Sequence, residues 1–112
     1  QLAKAAIAAG VRILIKRMGK EAYDIENLYL AGGFGSYIDK RSAARIGLIP
    51  QELADRIITI GNSAGTGAIL SLLSSERLDR TAKIKTMAKY IELSSAPDFQ
   101  DEYVDCMYFD LE

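Results

Sequence analysis

Twice in this chain a short apolar run stops at glycine and a helix-compatible segment follows. The first is Leu28-Tyr29-Leu30-Ala31 before Gly32-Gly33, and the second is Arg56-Ile57-Ile58-Thr59-Ile60 before Gly61-Asn62. Short continuous apolar runs of this kind, β-branched in the second case, read as buried parallel strands. Two adjacent glycines at a strand end remove Cβ, permit positive φ and let a ligand lie almost on the backbone. The free N–H groups opening the next helix would then face an anion or a polar sugar edge. Gly32-Gly33 is accordingly read as a nucleotide-contact turn, set against the simpler possibility that the glycines only let strand and helix pack closely. With a helical pattern ahead of both units, the order is helix–strand–helix–strand–helix, an α/β layout with a parallel sheet. Two strands are too few for a stable open sheet, so the sheet is incomplete within the chain. Its missing strands are expected upstream or from a second copy.

The flanking segments fit this frame. Residues 2–18 carry Leu2, Ala6, Ile7, Ala9, Val11, Ile13, Leu14 and Met18, with Lys4, Arg12 and Lys16 on one narrow polar stripe. A helix apolar over most of its circumference should be largely buried, and Gly19 is placed to end it. Asp39 and Gly47 bracket Lys40–Ile46 as N-cap and C′ residues, which explains Asp39 without a catalytic role. Asn62 or Ser63 caps a helix running to about Ser74, with Gly65 and Gly67 in its first turns. Each interior glycine costs about 1 kcal/mol against alanine. Two of them beside Ala64 and Ala68 predict a thin face, approached by a neighbouring helix in preference to a ligand. From Glu76 the pattern is helical again, with Leu78, Ile84, Met87, Ala88 and Ile91 on one side. Tyr90–Leu93 forms a short extended piece. Ser95, Pro97 and Asp98 then open a last helix whose apolar face repeats at Phe99, Tyr103 and Met107. Cys106 reads as a small core residue, not a reactive thiol.

Composition removes several function classes. The 112 residues include one cysteine and no histidine, so intrachain disulfides, the usual zinc sites, Ser-His and Cys-His nucleophiles and iron–sulfur ligation are all out of reach. A lone cysteine also suits a reducing, cytoplasmic compartment. No apolar run approaches the roughly 20 residues of a membrane helix, and the start shows no signal-peptide anatomy. A chain opening at Gln1 inside a helical pattern looks cut from something larger. The net charge of −1 is unevenly spread: residues 1–89 hold 14 basic against 8 acidic side chains, net +6, whereas residues 90–112 hold 7 acidic and no basic ones. The acidic tail is expected to pack near its own basic helix, the alternative being a partner-docking surface. No nucleic-acid motif is present. Gly33-Phe34-Gly35 offers G-x-G, but Ile38 stands where a dinucleotide fingerprint needs a small residue, and no acid closes the second strand. There is no P-loop sequence either.

The residues do resemble a known superfamily. Leu28–Gly35 is similar to the adenosine motif of the acetate kinase/sugar kinase/Hsp70/actin (ASKHA) proteins, and Gly61–Ala68 to their second connecting motif. More specifically, Leu30–Asp39, Ile46-Gly47-Leu48-Ile49-Pro50, Gly61–Ala68, Tyr90-Ile91-Glu92-Leu93 and the Phe99 region, in that order, resemble the C-terminal part of the reductive activators of corrinoid proteins. The resemblance implies a partial RNase H-like/actin-like subdomain. In this reading the whole of 1–112 is a C-terminal fragment of an ASKHA ATPase domain, with an α/β core over 1–75 and a helical extension over 76–112. It further implies a parent with an N-terminal iron–sulfur domain that uses ATP, with magnesium, to return Co(II) corrinoid proteins to Co(I). The partner would be a corrinoid iron–sulfur protein or a corrinoid methyltransferase subunit. By the family pattern Gly32, Gly33, Phe34, Gly35 and Ser36 lie at the nucleotide, and Gly61, Asn62, Gly65 and Gly67 at the hinge between lobes. The phosphate-binding segments and the iron–sulfur cysteines are missing here, no catalytic acid or base is carried over, and the piece alone is expected to turn over little or no ATP. Two alternatives stand beside this: a non-catalytic interaction module docking through the acidic tail, and a fragment of another ASKHA sugar or acid kinase. Exposed sheet edges favour self-association, so a homodimer is an expected state.

Overall fold

The computed structural model describes residues 2–108, leaving aside the side chains of residues 34–36. A first helix, α1 (Leu2–Arg17), leads through a 3₁₀ turn at Ala22–Asp24 to strand β1 (Leu28–Ala31). Helices α2 (Gly32–Tyr37) and α3 (Lys40–Arg45) and a 3₁₀ turn at Gln51–Arg56 carry the chain over to β2 (Ile57–Gly61). Then come α4 (Ser63–Leu73), α5 (Ser75–Met87), a 3₁₀ turn at Leu93–Ser95 and α6 (Phe99–Asp105). The expected helix–strand–helix–strand–helix order with C-terminal helices is the observed one.

The element ends follow from local chemistry. Gly19, with φ of 67°, ends α1: its N–H reaches Lys16 O at 3.0 Å, and that of Lys20 reaches Ile15 O at 3.2 Å. Gly47, with φ of 81°, ends α3 by the same pair of bonds, Gly47 N–H to Ala44 O and Leu48 N–H to Ala43 O. Both glycines adopt the left-handed conformation that closes a helix without a Cβ penalty. Asp39 caps α3, accepting from Arg41 N–H at 3.2 Å and from the Ser42 hydroxyl at 2.6 Å.

β1 and β2 pair in parallel, with Leu28 opposite Ile57, Tyr29 opposite Ile58, Leu30 opposite Thr59 and, after a register shift, Ala31 opposite Gly61. One face of this two-stranded sheet is covered. Ala43, Leu48, Ile49, Leu53 and Ile57 form a core there, joined by Ile25, Leu28, Leu30 and Ile38. Arg56 secures its edge, donating to the carbonyls of Tyr23 at 2.7 Å and Ile25 at 2.6 Å. A second, separate core lies between α1 and α6, where Ala5, Ala8, Ala9 and Cys106 meet Phe99, Tyr103 and Met107. Phe99 and Tyr103 stack with ring centroids 5.7 Å apart. The apolar repeat expected for the last helix and the core placement of Cys106 are both found.

Three expectations need correction. β2 is not a fully buried strand within this chain, since Ile58 and Ile60 are 40% and 44% exposed. α1 is likewise buried on one side only, leaving Leu2, Ile7, Leu14 and Met18 exposed. On its Lys4, Arg12 and Lys16 stripe, Arg12 and Lys16 are exposed beside α6, whereas Lys4 is only 8% exposed. The last helix begins at Phe99 with Asp98 at its N-cap, because the Ser95 hydroxyl donates to Glu92 O and closes the preceding 3₁₀ turn instead. Tyr90–Glu92 lies outside any strand. The radius of gyration, 15.9 Å, exceeds the roughly 13 Å of a compact chain of this length, in keeping with an incomplete sheet.

Candidate functional site

Parallel pairing places two glycine turns side by side. Ala31 is the register partner of Gly61, so Gly32-Gly33 and Gly61-Asn62, twenty-nine residues apart in the chain, leave the sheet at the same carboxyl edge. That edge is where open α/β sheets take their ligands. Gly32 has φ of 82° and Gly61 has φ of 61°, conformations a residue with a Cβ resists by about 1–2 kcal/mol. Gly33 is helical, and among the described residues outside its own turn of helix a Cβ built there would meet no atom within 4 Å. Its missing side chain therefore does not serve close packing of strand on helix within this chain. A shallow cleft of about 410 Å³ opens beside it, lined by Gly33, Tyr37, Ile38 and Asp39. The side chains of Phe34, Gly35 and Ser36, expected at the nucleotide, lie outside the described residues.

The second turn is organised by Asn62. Its side-chain carbonyl accepts from Gly65 N–H at 3.0 Å, while its backbone carbonyl accepts from the Thr66 hydroxyl at 3.1 Å. A Cβ on Gly65 would stand 2.5 Å from Asn62 Nδ2. Among the described residues the thin face predicted for this helix meets its own cap at Gly65, and no neighbouring helix lies within 4 Å of a Cβ at Gly67. Asp39, on the rim of the cleft, is committed to capping: the Ser42 hydroxyl first, then the Arg41 N–H, hold its carboxyl below the usual carboxylate range. It is not a free base.

Other features can be assigned by the same test. The acidic tail packs on the basic helix, as charge balance predicts: Glu102 pairs with Arg12 at 3.5 Å, and Asp98 with Lys16 at 3.2 Å and Arg17 at 3.5 Å. Lys4 Nζ donates to the carbonyls of Cys106 and, at 3.0 Å, Tyr108. Burial pushes the Cys106 thiol up from its ordinary value, which keeps it protonated and inert. Among the described residues no three His, Cys, Asp or Glu side chains gather into a metal site, and no helix is long and apolar enough to cross a membrane. A larger cleft of about 1400 Å³ between α1, α6 and the Ile49–Glu52 segment shares no lining residue with the glycine turns. Sequence reasoning missed Tyr37 as a wall of the cleft and Arg56 as an anchor, although both stand in segments it singled out, since those roles depend on partners the segments do not name.

The family model described as the C-terminal domain of RACo, the ASKHA domain, matches residues 1–112. The chain belongs to this family. The chain is 42% identical over 104 residues to the corrinoid activation enzyme RamQ of Eubacterium limosum, covering 93% of this chain and 18% of that protein. It is 31% identical over 101 residues to the [Co(II) methylated amine-specific corrinoid protein] reductase of Methanosarcina barkeri, covering 88% and 18%. Among solved structures it superposes on a reductive activator for corrinoid, iron-sulfur protein with a TM-score of 0.85 and 35% identity, over 96% of this chain and 17% of that one. The domain spans about a fifth of the length of these relatives. Its fold is that of an ASKHA C-terminal domain, with which the incomplete two-stranded sheet is consistent.

Proposed function

We propose that this chain is the C-terminal nucleotide-cleft portion of an ATP-dependent reductive activator that returns Co(II) corrinoid proteins to the methyl-accepting Co(I) state. One observation carries the reading: at the carboxyl edge of the sheet, Gly33 presents bare backbone to open space beside a second glycine turn paired in register with the first. The residues fit a nucleoside. Gly32 and Gly33 would lie against its ribose and adenine side, with Tyr37 and Ile38 as the adjoining wall and Phe34, Gly35 and Ser36 following in sequence. Gly61, Asn62, Gly65 and Gly67 would form one side of the hinge between lobes. ATP, with magnesium held elsewhere, supplies the free energy for an unfavourable electron transfer. The chain's own contribution is positional: contacts with nucleotide that differ between open and closed states shift the lobes toward closure. Residues 1–75 supply the α/β part of this wall and residues 76–112 a helical extension.

No iron–sulfur cluster fits this chain, whose one thiol is buried between α1 and α6. The cluster, the phosphate-binding segments and any catalytic acid or base belong to the remainder of a cytoplasmic protein. The partner, by analogy with the names of the relatives, is a corrinoid protein. Docking through the acidic tail is the weaker reading, because Asp98 and Glu102 already face Arg12, Lys16 and Arg17 within the chain.

The test is an ADP titration of the full-length protein before and after Gly33→Val. A branched side chain in the space where the nucleoside would lie should weaken binding by about tenfold or more, a tenfold loss corresponding to about 1.4 kcal/mol. Unchanged affinity removes Gly33 from the cleft.

A further inference from the structure

We propose that residues 93–108 form a detachable clasp, held on α1 by a small apolar seat and by salt-sensitive ion pairs, that undocks as a unit while the β-sheet core stays folded. The molecule has two cores that share no residue: one under the sheet, the other between α1 and α6. The second is small. Its α1 side is a stripe of Ala5, Ala8 and Ala9, and Leu93 extends the seat by resting its Cδ1 3.1 Å from where a Cβ of Gly10 would stand. Burial of alanine surface contributes little per residue compared with leucine or phenylalanine. Phe99, Tyr103 and Met107 of the clasp pack on that stripe, and charge adds to the hold: Arg12 to Glu102, Lys16 and Arg17 to Asp98, and Lys4 to the carbonyls at the end of α6. The three ion pairs link α1 with the clasp, and their side chains are 26–65% exposed. Pairs in that setting are weakened by salt, unlike the Ala43–Ile57 core.

The clasp also decides how α4 and α5 are held. Those two helices have no buried residue and pack chiefly on each other. They are tethered at one end by β2 and at the other, through residues 88–92, by the clasp. Within this chain, the seated clasp fixes the α4–α5 pair at both ends; with it released, the chain holds the pair from β2 alone. The segment that closes on α1 therefore sets the freedom of the helices leading out of the second glycine turn. This follows from the two cores and stands whether or not Gly33 meets a nucleotide.

Hydrogen exchange on the full-length protein tests it. Raising salt from about 0.1 M to about 1 M shortens the screening length from about 10 to about 3 Å. Exchange at residues 93–108 and along Ala5–Ile13 should then rise roughly tenfold, with β1 and β2 unchanged. Asp98→Lys should raise it at low salt, and adding Lys16→Glu and Arg17→Glu to that variant should restore protection. Salt-insensitive exchange of α6, opening only together with β1 and β2, or failure of the reversed pairs to restore protection would each overturn the proposal.

Discussion

Asp98 and Lys4 illustrate what one side chain does to the join between α1 and α6. The Asp98 carboxyl is held below its ordinary value of 3.8, first by its own backbone N–H and then by Lys16 and Arg17. A carboxylate lowered in the folded state stabilises it at any pH above the ordinary value, and that contribution fades as pH falls through the lowered one. The stability difference between the wild type and Asp98→Asn should accordingly be full near neutrality and vanish below the lowered value. Thermal melts of the two proteins as a function of pH measure it; a difference that persists in strong acid would show that the carboxylate charge is not what matters. Lys4 works the other way, as a cation at the carboxyl end of α6, where the unpaired carbonyls of a helix end favour positive charge. Its burial was not foreseen, because its spacing with Arg12 and Lys16 reads equally well as a solvated stripe.

At the scale of elements, the 3₁₀ turn Gln51–Arg56 does the most for the sheet. Leu53 is fully buried under β1 and β2, and Arg56 ties the same turn back to the Tyr23–Ile25 connection. Leu53→Ala should remove roughly 2–5 kcal/mol of protection from the β1 and β2 amides, the range for buried leucine truncations. Protection of α6 should be unaffected, since Leu53 has no part in the second core. Hydrogen exchange resolved by segment reads both; equal losses in the two regions would mean that the cores are one cooperative unit. The Gly65 backbone makes a similar point about helices. Its glycine looked like a contact with another helix and is a contact with the helix's own cap.

For the whole molecule the governing fact is apolar surface left uncovered: Ile58 and Ile60 on the outer sheet face, and Ile69, Leu72, Leu78, Ile84 and Met87 on α4 and α5. Patches of this kind on a soluble protein mark surfaces normally buried against something else. The 112-residue chain expressed alone should therefore associate, with a mass above 12.3 kDa that rises with concentration in sedimentation equilibrium. A strictly monomeric chain would require that these faces be covered by a rearrangement not seen here. The sequence by itself determined the element order, the helix ends at Gly19, Asp39, Gly47 and Asn62, and the affinity of the acidic tail for the basic helix, because turns, caps and net charge depend on residues near in sequence or on summed charge. Only the tertiary structure decided that Ala31 lies opposite Gly61, that Lys4 is buried, and that the chain has two cores, since register and packing are settled by contacts between residues far apart, which no local pattern encodes.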